Sequence, residues 1–277
     1  MPAREGSLPA PKRNCLVAVI RFPAITALPL IVERIRRLFD LGAEPCLIGA
    51  HLSADPEIAA HVRARPGLRV PGAWDGFELG VRAILGQQIS VGAATALAGK
   101  LVALYGDPLP PAEDPALTGL THAFPSPRRI AEASDLAAAL GLPRARAASI
   151  IALARAAVAD PHLFEPGKGL ETSIAQLRAL PGIGAWTAQY IAMRALREPD
   201  AFPASDLGLL RAVADPDGRQ TPAKLLARAQ AWRPWRAYAA LHLWASDPIV
   251  TRRKQEKTRG VLARTPDIAD RDDSARL

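Results

Sequence analysis

Apolar positions recur at helical intervals along most of this chain. Phe77, Val81, Ile84 and Leu85 fall on one face of FELGVRAILGQQIS, and VGAATALAGKLVALYG resumes the pattern after a Gly-Gln-Gln break, which predicts two helices. SPRRIAEASDLAAALGL, PRARAASIIALARAAVAD and SIAQLRAL extend the series, each bounded by Pro, Gly or a capping Ser. No alternating run of useful length follows residue 75, so the fold expected is mainly α. The start of the chain reads differently. CLVAVIRF predicts a strand, and ALPLIVERIRRLFDLG a helix with Leu30, Ile31, Ile35 and Leu38 near helical spacing and Gly42 as its stop. A lone strand leaves both edges unpaired, so this portion reads as an incomplete α+β unit.

The breakers in RARPGLRVPGAWDG place a boundary there. Three segments follow: 1–72, an N-terminal α+β portion; 73–247, a helical domain; and 248–277, a basic and flexible tail containing TRRKQEKTRG. Composition narrows the partner. With 277 residues and 49% hydrophobic content the chain can bury a large core. Thirty-five Lys and Arg against 27 Asp and Glu give a net charge of +8, which favours a polyanion over a cationic partner. Cys15 and Cys46 form no metal-binding or disulfide pattern, and His122, His162 and His242 are dispersed, so no side-chain metal site is expected. No apolar run reaches a membrane span, and a cytoplasmic protein is expected.

Candidate chemistry gathers in LPGIGAWTAQYIAMRAL and the FPASD that follows. Gly182 and Gly184 permit a tight turn between two helices, and the amide groups that open the second helix suit an anion such as a DNA phosphate. An ordinary helix junction would also explain the glycines. Trp186 and Tyr190 share a helix face and suit stacking on a flat ligand or on a core. Asp206 stands where a new helix begins, a place a capping acid alone would explain.

Taken in order, these motifs resemble the helix-hairpin-helix DNA glycosylase superfamily. WDGFELGVRAILGQQISVGAATALAGKLVALYG and AWRPWRAYAALHLWASD are similar to the bacterial 3-methyladenine DNA glycosylase II branch, over about residues 16 to 247. The resemblance implies that Asp206 is the catalytic aspartate. It implies that Gly182, Ile183, Gly184 and Thr187 belong to the DNA-binding hairpin, and that Trp186, Tyr190 and Trp244 line the base pocket. Gln88 would enter the space left by the extruded base, while Trp232 and Trp235 look like packing residues. The family's N-terminal TBP-like sheet domain would be truncated here, and Leu207 stands where some members have Tyr. The resemblance further implies a monomer acting on double-stranded DNA with alkylated bases. No cofactor is expected beyond a monovalent cation at the hairpin main chain.

Base extrusion costs a few kcal/mol, less for damaged bases. N-alkylated purines are cationic, so indole and phenol faces would attract them by about 0.5 to 2 kcal/mol each. A carboxylate would stabilise the oxocarbenium-like sugar. In bifunctional family members a lysine nucleophile stands where this chain has Trp186, so hydrolysis without strand cleavage is expected. A DNA-binding module without turnover and a glycosylase for oxidised or mismatched bases are the competing expectations.

Overall fold

The computed structural model describes residues 15–22, 24–111, 117–213 and 220–246. Thirteen α-helices run through them in chain order, and no strand forms among the described residues. The N-terminal portion contributes α1 (Leu28–Leu38), α2 (Pro45–Leu52) and α3 (Pro56–Ala64). The remainder is α4 (Gly76–Leu85), α5 (Val91–Tyr105), α6 (Pro127–Ala131), α7 (Leu136–Leu140), α8 (Arg144–Ala159), α9 (Leu170–Arg178), α10 (Ala185–Arg194), α11 (Leu207–Ala212), α12 (Pro222–Arg228) and α13 (Arg236–Ser246). The proposed tail 248–277 lies outside the described residues. Among those described, no helix is long and apolar enough to cross a membrane.

Local chemistry accounts for the helix boundaries. The side chains of Asp75, Ser90, Ser126 and Thr221 each accept an amide hydrogen bond from the first turn of the helix they precede. Gly141 ends α7 in the left-handed conformation at φ 68°. Helix α4 is the central element, packed on both α8 and α10. Its Val81, Ile84 and Leu85 are fully buried, as their spacing predicts, each contributing about 1.5 to 3 kcal/mol by removal from water.

The N-terminal portion departs from expectation in two respects. Residues 15–22 form no strand, and Leu16, Val17 and Val19 are exposed. Among the described residues no second strand lies beside this segment, and extended backbone without one gains no ladder hydrogen bonds. Helix α1 also stops at Leu38, before Gly42, and buries no residue. Its end is set by Asp40, which takes a positive φ of 51° and is only 5% exposed. The Asp40 carboxylate accepts from the Tyr238 hydroxyl at 2.7 Å, the Val70 amide at 3.2 Å and the Arg197 guanidinium at 3.3 Å. Tertiary contacts, rather than the glycine, turn the chain. Burial, followed by the Asp40 carboxylate, pushes the Tyr238 hydroxyl pKa upward.

A second acid fastens this portion to the bundle. Asp55 caps α3 through the Glu57 amide and accepts from the Trp232 indole at 2.8 Å and from Arg228 at 3.2 Å. Burial alone would raise the Asp55 pKa, but these donors together hold it below the usual value. Trp232, expected as a packing residue, is fully buried and supplies this hydrogen bond as well.

Candidate active site

The hairpin between α9 and α10 turns at Gly182, whose φ of 76° suits glycine. A Cβ at that position would overlap Ser149 Oγ of α8, so the turn lies directly against a helix. The Ser149 hydroxyl donates to the Ala145 carbonyl at 2.9 Å. Ile183 and Thr187 are 4% and 3% exposed, so their side chains anchor the hairpin from within. Gly182 and Gly184 are exposed, and Gly184 precedes α10 without providing a side-chain cap. The surface offered by the hairpin is therefore main chain.

Two adjacent glutamines support it differently. The Gln87 amide donates to the Gly182 carbonyl and to Thr187 Oγ1, each at 3.1 Å. The Gln87 carbonyl accepts from the Arg146 guanidinium at 2.9 Å. Gln88 is exposed in a left-handed conformation, φ 58°, uncommon outside glycine. Gln87 is a positioning residue that sequence reasoning missed. The doublet in LGQQIS marked the place without showing which glutamine faces inward.

Asp206 lies at the centre of the second constellation. It precedes α11 and accepts at Oδ1 from the amides of Gly208, at 2.8 Å, and Leu209, at 3.0 Å. It is also bound by two indoles: Trp244 donates to Oδ1 and Trp186 to Oδ2, each at 2.8 Å. The helix cap and the aromatic cluster thus share one carboxylate. Trp186 comes from α10 and Trp244 from α13, which packs on α11. Oδ1 is surrounded by three donors, whereas Oδ2 has the Trp186 indole, so Oδ2 retains capacity to accept from a further group.

The rings are ordered along α10. Trp186 and Tyr190 stack with centroids 5.2 Å apart and planes 8° from parallel. One turn further, Arg194 places its guanidinium 5.7 Å from the Tyr190 centroid and 5.9 Å from that of Trp244. Tyr190 therefore sits between an indole and a guanidinium in the helical ladder, and is less free to offer a ring face than the sequence suggests. Leu207, beside Asp206, is 70% exposed.

A glycine hairpin on a helical bundle, joined to a carboxylate clasped by two indoles, defines the class. The chain belongs to the HhH-GPD superfamily of base excision DNA repair proteins, whose model matches residues 81–237. Residues 7–75 match the AlkA N-terminal domain. Among its relatives is the probable bifunctional transcriptional activator/DNA repair enzyme AlkA of Mycobacterium tuberculosis, 42% identical over 240 residues. That match takes in 86% of this chain and 46% of the relative, so the chain spans about half that protein's length. DNA-3-methyladenine glycosylase 2 of Escherichia coli is 38% identical over 78% of this chain and 71% of its own. In structure, the chain is similar to a 3-methyladenine DNA glycosylase from Archaeoglobus fulgidus, with TM-score 0.69 and 25% identity, covering 82% of this chain and 77% of that one. The Schizosaccharomyces pombe 3-methyladenine DNA glycosylase Mag1, in complex with abasic DNA, shares the fold at TM-score 0.56 and 22% identity, over 71% and 94% of the two chains.

Proposed function

We propose that this chain is a monofunctional DNA glycosylase that turns alkylated purines, of the 3-methyladenine and 7-methylguanine type, out of duplex DNA and hydrolyses their N-glycosidic bonds. The observation that carries the reading is the Asp206 carboxylate, held by the indoles of Trp186 and Trp244 beside the glycine hairpin. The E. coli and A. fulgidus relatives, both 3-methyladenine DNA glycosylases by name, point the same way.

The residues divide the work as follows. Main-chain amides at Gly182 and Gly184 receive a DNA phosphate at the start of α10, with Ile183 and Thr187 bracing the turn from within. Gln88, held out by its left-handed backbone, fills the gap left by the extruded nucleotide. Alkylation makes the base a good leaving group, so positive charge gathers on the sugar as the bond lengthens. Asp206 stabilises that charge, and Oδ2 is the oxygen open to the sugar or to water. Two indole donors fix the carboxylate in place before the substrate arrives. Trp186 has no amine to form a Schiff base, so the product is an abasic site on an unbroken strand. The Leu180 and Gly182 carbonyls each accept one hydrogen bond, from the Ile183 amide and Gln87, which leaves a lone pair on each for weak monovalent cation contact. The enzyme would act in the cytoplasm as a monomer on double-stranded DNA.

A DNA-binding module without turnover is the second reading, favoured by the uncovered apolar side chains of the N-terminal portion. Methylated duplex DNA separates the two. The glycosylase reading predicts free methylated purine, a strand that breaks only on alkali treatment, and no protein adduct under borohydride. A borohydride-trapped adduct would overturn the monofunctional assignment, and binding without release would favour the module.

A further inference from the structure

Arg194 brings a permanent positive charge to the back of the aromatic cluster. Its guanidinium lies within cation–π reach of both Tyr190 and Trp244. The segment before α4 fixes it there: Arg194 Nη1 donates to the Pro71 carbonyl at 2.8 Å, and the Arg194 carbonyl accepts from the Ala73 amide at 3.0 Å. Its Nε is buried with no hydrogen-bond partner, and among the described residues no carboxylate pairs with the guanidinium. Leaving a buried donor unmade is costly, so this placement is not explained by local hydrogen bonding alone. Arginine also cannot shed its charge by deprotonation.

We infer that Arg194 is a positioning residue that tempers the preference of the aromatic site for cationic over neutral bases. The argument is electrostatic. The ring quadrupoles of Tyr190 and Trp244 already face one cation, so a second cation brought to the same cluster meets like-charge repulsion and a weaker net attraction. A neutral purine is not subject to that repulsion. Without the guanidinium, selectivity shifts toward bases carrying a formal positive charge. The same contacts link the Pro71–Ala73 segment to the pocket, because they hold Arg194 against the ring whose indole binds Asp206.

The inference rests on the glycosylase reading for the identity of the ligand, so its test measures binding separately from turnover. The full chain and its R194K, R194Q and R194M variants are titrated with two duplexes, carrying 2′-fluoro-7-methyldeoxyguanosine or 2′-fluorodeoxyinosine. The fluorine disfavours the oxocarbenium-like state and keeps the duplex whole. R194Q retains a donor for Pro71 but no charge. The expected result is a two- to fivefold shift, of roughly one cation–π contact, in the Kd ratio toward the methylated base in R194Q and R194M. R194K keeps the ratio of the unsubstituted chain. An unchanged ratio in folded R194Q, an equal loss for both duplexes, or a shifted ratio in folded R194K overturns the inference. Failure to release base from unsubstituted duplexes would instead count against the glycosylase reading and leave this ratio measurable.

Discussion

Gly182→Ala tests how tightly the hairpin is held against α8. Alanine at φ 76° incurs about 1 to 2 kcal/mol from left-handed backbone alone. Its Cβ would also overlap Ser149 Oγ and lie 2.8 Å from Ser149 Cβ, and overpacking of this kind costs about 1 to 3 kcal/mol. Together the loss is roughly 2 to 5 kcal/mol. Ser149→Gly separates the two contributions, because it removes both obstructing atoms and leaves the backbone conformation as the remaining cost. On its own it weakens α8 by roughly 0.5 to 1 kcal/mol. Urea unfolding of the single and double variants, followed by circular dichroism, closes a double-mutant cycle. The packing argument predicts a favourable coupling of about 1 to 3 kcal/mol between the substitutions. Additive losses, within about 0.5 kcal/mol, would refute it, since the hairpin would then be free to move off α8.

Gln87→Ala should lower stability by about 1 to 3 kcal/mol, because it orphans the buried Thr187 hydroxyl and releases the Gly182 carbonyl; thermal melting reads the loss. Gln88→Ala should change stability by no more than about 0.5 kcal/mol yet slow base release, since Gln88 is exposed and poised at the DNA face. Burial, followed by the charges of His61 and Arg65, pushes the His242 imidazole down from 6.5 to about 4. The folded state thus disfavours the protonated ring: its contribution is complete above pH 6.5 and drains away as pH falls toward 4, amounting to about 3 kcal/mol. Urea midpoints across that interval should show the slope, and His242→Gln should flatten it.

Much of the helical bundle was legible because burial and helical period coincide. On α4, Phe77, Val81, Ile84 and Leu85 are all buried, and the flanking caps are written into the chain as Asp75 and Ser90. The N-terminal portion was less legible. CLVAVIRF carries strand-like residues, but strand formation depends on a partner that no local pattern supplies. Asp40 turns the chain after α1 through residues 30, 157 and 198 positions away, a set of contacts outside the reach of any periodicity.

The site divides along the same line. Gly182, Asp206, Trp186 and Trp244 stood out as motifs, and the resemblance suggested a common purpose for them. The indole hydrogen bonds to Asp206 span 20 and 38 residues, so their convergence on one carboxylate emerges only from the packing of α10, α11 and α13. Gln87 and Arg194 escaped notice because a glutamine beside another glutamine and an arginine late in a helix are ordinary in sequence. Their importance lies in what they touch.

The most direct test of the central claim compares the chain with its Asp206→Asn variant on methylated duplex DNA, following free base release and duplex binding together. Asparagine is nearly isosteric and can still cap α11, but it carries no charge to stabilise the developing oxocarbenium. The account predicts that release falls at least about a hundredfold while duplex affinity is retained. Release by Asp206→Asn at the rate of the unsubstituted chain would contradict it.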